Sequence, residues 1–178
     1  MSNNVAGTGK MNVGVGVSME IYENAFWKPK WKIEKYQGEA IQDNLIAIEE
    51  FEGNLLLNEG ITLLLNLLIG AAGIVYNAAN TRIGVGDSAT AAVATQVGLL
   101  GTTNRFWRVM DATFPSVSAQ TVSFRATFGT NEANFVWNEI TVVNTADDMG
   151  QNLCRRVQAM GTKASGTTWV VTVTVTIS

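Results

Sequence analysis

A chain of 178 residues, 47% of them hydrophobic and only 15% charged, has the material for one buried core and less charge than the roughly 25% usual in soluble domains. A net charge of −3 gives no reason to expect nucleic-acid binding, which needs clustered cations. The complete lack of histidine and a single cysteine, Cys154, exclude histidine-based catalysis, an internal disulfide and a cysteine-rich metal site, so no cofactor is expected.

Residues 1–20 are rich in Gly, Asn and Val and carry "VGVGV" at Val13 to Val17. Glycine costs backbone entropy in any regular element, so this segment is expected to order only against something else. It shows no basic region followed by an apolar core, as a secretion signal would. From Ile21 to Phe51 the pattern becomes strand-like: Trp31, Ile33 and Lys35 alternate with Lys32, Glu34 and Tyr36, the period of a strand. "DNLIAIEEF" reads as a further strand after a turn at Gly38. Residues 1–50 are therefore read as an N-terminal arm and β-extension, and 51–178 as the body. The basic run "KPKWKIEK" lies between aromatic residues, a composition that can grip single-stranded nucleic acid. The alternation and net acidity favour a β-arm lying on a protein partner, with Phe26, Trp27, Lys28, Lys30, Trp31 and Tyr36 as contact residues.

One helix is predicted near residues 59–69, with Asn58 as cap, Glu59 at the positive end of its dipole and Gly70 as terminator. Ile61, Leu64, Leu65, Leu68 and Ile69 take helical spacings, and Leu63 and Leu67 widen the apolar surface. A helix apolar nearly all round is buried, or lies between a sheet and another subunit. The apolar run Ile61 to Tyr76 is 16 residues long, short of the ~20 a membrane-spanning helix needs. Beyond "TRIGVGD" the chain reads as β, in short runs separated by Gly, Asn, Ser and Asp. In the last run Val171, Val173, Val175 and Ile177 face one way and Thr172, Thr174 and Thr176 the other. The expected fold is mainly β: a β-sandwich or jelly-roll-like body with one buried helix and an extended N-terminal arm.

Candidate chemistry is sparse. "AGTGKM" lacks the hydroxyl that follows the lysine of a phosphate-binding loop, since Met11 stands there. "GVGDSA" mimics a dinucleotide fingerprint but is not followed by an alternating α/β pattern, and reads as a tight turn. Cys154, between Leu153 and Arg155, reads as a small apolar strand residue. Paired carboxylates can hydrolyse glycosides without histidine, and Glu132, Glu139, Asp147 and Asp148 are the candidates. No spacing among them forces two into one cleft. In "FVWNEI" an unbroken strand would place Phe135, Trp137 and Glu139 on one face. A carboxylate there needs a donor, and Arg105, Arg108, Arg125, Arg155 and Arg156 all lie in neighbouring strand-like runs. A structural Glu–Arg pair is the plain expectation, and the chain is read as no enzyme.

"NLLLNEGITLLLNLL", then "RIGVGDSATAAVATQVGLLG", then "FRATFGTNEANFVWNEITVVN" and the Thr/Val-rich closing strand together resemble the β module of small bacteriophage virion structural proteins, both capsid decoration and tail-fibre-like. The resemblance covers roughly residues 45–178 and departs from the pattern after the W-N-E, where "ITVVN" replaces a hydrophobic-Gly pair. It implies a virion structural protein, assembled in the bacterial host cytoplasm, trimeric, without a catalytic site, and contacting the major capsid protein or other virion proteins. A capsid decoration (cement) protein that binds and stabilises the head shell is the favoured expectation, and a tail, collar or fibre-attachment component the alternative. A reading of another class is a carbohydrate-binding module stacking sugars on Trp107, Trp137 or Trp169.

Overall fold

The structure is a computed structural model that describes residues 7–13, 17–23 and 27–178, with side chains described from Trp27 onward. Two five-stranded antiparallel sheets carry the body. The first has the order β5 (Leu55–Leu56), β11 (Asn152–Thr162), β10 (Val136–Val143), β6 (Arg82–Gly86), β7 (Arg105–Val109). The second runs β4 (Leu45–Glu52), β3 (Trp27–Gln37), β12 (Thr167–Ile177), β9 (Thr121–Phe128), β8 (Ser116–Ser118). β1 (Gly7–Val13) and β2 (Val17–Glu23) form a separate antiparallel pair. The mainly β architecture is that of a sandwich.

Alternation explains the second sheet. Val171, Val173 and Val175 are buried as expected, and with Trp31, Ile33, Phe124, Ala126 and Phe128 they form one wall of the core. Ile83, Val85, Ile140, Val142, Cys154 and Met160 form the opposing wall. Trp137 makes edge-to-face contacts with Phe128 at 4.8 Å and Trp169 at 4.7 Å, contacts that add to plain burial. Most of these side chains expose nothing, and each Val, Ile, Phe or Met among them contributes about 1.5–3 kcal/mol of burial.

β3 and β4, grouped with the arm on sequence grounds, are built into this sheet. β12 pairs with β3 along all of its length, from Thr167↔Gln37 to Ile177↔Trp27. Trp31, expected to meet a partner, is fully enclosed in the chain's own core, stacked on Phe51 at 6.2 Å. Tyr36 is likewise buried. The apolar face of the alternation covers the core of its own chain.

Helix α1 (Asn58–Leu68) lies where the periodicity puts it, but differs at its start and in its burial. Leu57 occupies the cap position without a side-chain cap bond, and Asn58 is already inside the first turn. Glu59 does serve the expected end of the helix, accepting a hydrogen bond from the Asn152 amide at 2.9 Å. Gly60 sets the helix directly on β11: a Cβ there would stand 2.6 Å from the Leu153 carbonyl oxygen. Gly70 closes the element at φ +71, the left-handed conformation that terminates helices. Gly60 and Leu63 are the buried residues of the helix, while Leu65, Leu68 and Ile69 stand exposed. Where the apolar pattern predicts a buried helix, the sheet covers one face and leaves an apolar ridge open. Among the described residues no helix is long and apolar enough to cross a membrane.

Candidate functional site

The outer face of the first sheet carries two fully enclosed charges, Glu139 and Arg155. β10 and β11 slip register between Trp137↔Gly161 and Glu139↔Val157, so β11 advances four residues while β10 advances two. Such a bulge re-aims side chains. Trp137, Ile140 and Val142 all enter the core, so the side-chain parity of β10 changes at Asn138. Phe135, Trp137 and Glu139 do not share a face; the bulge turns Glu139 away from the core.

There Glu139 meets Arg155, projected from the same face of β11. The Arg155 Nε donates to Glu139 Oε2 at 2.7 Å, and both side chains are 0% exposed. The backbone amides of Leu100 and Gly101 donate to the two carboxylate oxygens at 2.9 and 2.6 Å. The remaining guanidinium nitrogens donate to Gln96 Oε1 at 3.1 Å and the Thr90 carbonyl at 2.9 Å. Leu100, Gly101, Gln96 and Thr90 belong to one long connection, residues 87–104, which crosses the sheet as a strap. Its ends are tied where the Asp87 amide donates to the Asn104 carbonyl and Asn104 Nδ2 to Asp87 Oδ2. A buried ion pair offsets its desolvation only when its other hydrogen-bonding positions are filled, and here they are filled by the strap.

The local sequence makes the space. Gly84 and Gly86 alternate with core residues Ile83 and Val85 on β6, and they pair with Thr141 and Glu139. A Cβ at Gly86 would strike the Glu139 carboxylate, and one at Gly84 would meet the Trp107 ring at 2.7 Å. The glycines of "GVGDSA" hold neither a nucleotide loop nor a turn: both are in β6 and leave room on its outer face.

Of the five arginines weighed as partners for Glu139, Arg155 fills the role. Arg105 pairs with Asp148, Arg108 with Glu132 and Arg125 with Asp111, and Arg156 donates to Gln158. Glu132 sits in the turn before β10, where it also accepts from the Gly129 amide. Asp148 lies beside the strap, its carboxyl pushed above the usual carboxylate range by burial, with Arg105 opposing the shift. The thiol of Cys154, fully buried, is pushed up to about 12 by desolvation. Lys163 is a further enclosed charge, donating to the Gly129 and Thr167 carbonyls and to Asn134 Oδ1. Lys10, of the phosphate-loop-like "AGTGKM", lies in β1 opposite Glu20. In this arrangement the oxygens of Glu139 are closed to any substrate, and what the cluster does is clamp a loop. Among the described residues no group of three or more His, Cys, Asp or Glu is placed to hold a metal ion.

The expected contact residues separate. Phe26 lies outside the described residues. Trp27 is half-buried and donates from Nε1 to Asn54 Oδ1 at 3.0 Å. Lys28 and Lys30 reach the surface, where Lys28 donates to Ser178 Oγ and Lys30 pairs with Glu50 at 3.3 Å. Trp31 and Tyr36 belong to the interior. Of the tryptophans proposed as sugar platforms, Trp137 and Trp169 are enclosed. Trp107 is half-buried and has the Arg105 guanidinium over its ring at 5.5 Å.

Sequence reasoning missed an apolar groove of about 490 Å³ at one end of the sandwich. Core residues Phe124, Leu153 and Val175 reach it from inside, and Trp27, Tyr76, Val117, Ile177 and helix residue Leu64 line it. The signal was present in the helix, whose aliphatic residues outnumber what one sheet face can cover. Comparison of the chain with protein-family models, with curated proteins and with solved structures finds no match.

Proposed function

We propose that this chain is a non-enzymatic structural component of a bacteriophage virion, a capsid decoration protein that binds the head shell and stabilises it. The observation that carries the reading is the combination of a sealed charge cluster with an open apolar face. The buried carboxylate is spent on holding a loop, while Leu65, Leu68 and Ile69 stand exposed on the helix whose Leu64 lines an apolar groove, and Val117 is exposed in that groove's wall. Contiguous exposed apolar surface of this kind marks an interaction site. The ordered motifs over residues 45–178 supply the virion context, and Trp27, Lys28 and Lys30 are the contacts proposed toward the shell. Cement action works by mass action: a ligand that binds only the intact shell stabilises it by about 2.7 kcal/mol per site at a hundredfold excess over Kd. The test is imaging of particles carrying the protein, with the heat stability of shells compared with and without it. Hundreds of copies over the head and a higher disruption temperature are expected.

A second reading, a tail, collar or fibre-attachment component, is favoured by the tail-fibre-like "FVWNEI" segment. Copy number separates the two, because a tail component occurs in a few copies per particle and a shell protein in hundreds. Absence from particles would overturn both.

A further inference from the structure

We infer that Lys163 and Asn134 join in an intramolecular amide bond, a covalent tie between the β9–β10 and β11–β12 connections. The tie is independent of the virion reading and follows from the surroundings of one side chain. Lys163 is 0% exposed, and its Nζ donates to the Gly129 and Thr167 carbonyls, both at 2.7 Å, and to Asn134 Oδ1 at 2.9 Å. All three acceptors are neutral. Among the described residues no carboxylate forms an ion pair with this nitrogen; Glu132, in the same turn as Asn134, is held by Arg108 at 2.8 Å and by the Gly129 amide at 2.8 Å. A buried ammonium without a counter-charge is costly, and such a group tends to give up its proton instead. Burial accordingly pushes the Lys163 amine below the usual lysine range, with the Glu132 carboxylate opposing the shift. A desolvated, neutral lysine is a nucleophile, and the side chain it touches is a carboxamide.

The fold holds the two groups together. β10 and β11 pair as far as Val136↔Thr162, and one step further the Lys163 amide donates to the Phe135 carbonyl at 3.0 Å, so Asn134 and Lys163 flank the end of one ladder. Asn134 Nδ2 donates to the Thr130 carbonyl at 3.1 Å, which leaves Oδ1 facing the lysine. Holding amine and amide in contact replaces a bimolecular encounter, an advantage that reaches an effective molarity of about 10⁵–10⁸ M in well-oriented cases. In the step, the Nζ lone pair attacks Asn134 Cγ, the Nζ–Cγ bond forms and the Cγ–Nδ2 bond breaks. The proton shed by Nζ goes to the departing nitrogen, which leaves as ammonia. One nitrogen replaces another on the same carbonyl, so no oxidant, reductant or co-reactant is consumed. Asn134 is exposed, so the ammonia escapes to water while the amine stays enclosed. The product fastens the turn before β10 to the turn before β12, in a chain whose single buried cysteine can form no internal disulfide.

The test is mass spectrometry of the full folded chain, fresh and after incubation in mildly alkaline buffer, both intact and as a tryptic digest. The intact mass is expected to be lower by one ammonia than the sequence requires. The digest should carry Ala126–Arg155 joined to Val157–Ser178, uncut after Lys163 because an acylated amine is no trypsin site. Ammonia lost while the two peptides stay separate means ring closure at an asparagine and overturns the assignment. So does a digest that yields Val157–Lys163 as a free peptide at every time point, with no joined pair. Asn134→Ala changes an exposed position, and circular dichroism checks that it keeps the fold. This variant should lose the joined peptide completely, and a joined peptide that persists in it would refute the pairing.

Discussion

Replacing Glu139 by Gln keeps the shape of the side chain and removes only its charge and half of its accepting capacity. The Arg155 guanidinium, 0% exposed, is then a buried cation without a counter-charge, and removing one partner of such a pair costs about 3–5 kcal/mol. The new NH₂ group also faces a donor, whichever way it turns, because Leu100, Gly101 and Arg155 all donate to the carboxylate. A total loss of about 4 kcal/mol is expected. For a domain of this size each kcal/mol moves the midpoint by about 2–4 °C, so the melting temperature should fall by roughly 8–16 °C. Tryptophan fluorescence follows the melt, since Trp137 and Trp169 pack against each other in the core. Hydrogen exchange at the Leu100 and Gly101 amides reads the strap itself, and both should lose protection before the core strands do. Adding Arg155→Met removes the orphaned cation, and the double variant should be less destabilised than the two single changes summed. A Glu139→Gln melt within 1 °C of wild type, or strict additivity with Arg155→Met, would refute the view that this pair holds the strap to the sheet.

Three further outcomes follow from the same geometry. Gly86→Ala should cost about 2 kcal/mol in urea denaturation, because the added methyl strikes a carboxylate that has nowhere to retreat. Asp148, raised by burial, binds its proton more tightly folded than unfolded. Its contribution to stability therefore falls as pH rises from the ordinary carboxylate range through the raised folded value, and Asp148→Asn should flatten this decline in melts from mild acid to neutrality. Cys154, with its thiol pushed up to about 12, should resist alkylation in the folded protein and react readily in denaturant, as followed by mass spectrometry.

The alternating strands were legible because half-buried sheets impose their period on the sequence. Val171, Val173 and Val175 announce the core face of β12, and the leucine spacing announces α1. What stayed hidden depends on positions distant in sequence. The alternation of Trp31 and Ile33 states that one face of β3 is covered, but not that the cover is the chain's own core, and the partners on β12 lie between 130 residues (Gln37↔Thr167) and 150 residues (Trp27↔Ile177) away in sequence. The parity change at Asn138 arises from extra residues on the neighbouring strand β11, so no inspection of "FVWNEI" alone reveals it. The expectation of a structural Glu–Arg pair was sound chemistry, since a carboxylate in that setting needs a cation. Choosing Arg155 among five arginines required the register. The helix shows the converse case: its apolar residues fit burial, and the sheet simply has too little surface to cover them.

The strap is gripped almost entirely by its main chain. Glu139 reads two amide hydrogens and Arg155 reads a carbonyl, and these atoms are present whatever side chains the strap carries; Gln96, and the Asp87–Asn104 pair at the ends, are held by their own side chains. Gly98, at φ +64, and Gly101, where an added Cβ would stand 2.9 Å from the Asn104 carbonyl oxygen, are further fixed points. The exposed positions Ala89, Ala91, Val93, Thr95 and Val97 are free to be rewritten without loosening the clamp. The sandwich thus carries a long loop with a rigid seat and a tolerant sequence, a place where variation can accumulate and where a foreign peptide could be displayed at little cost to the fold.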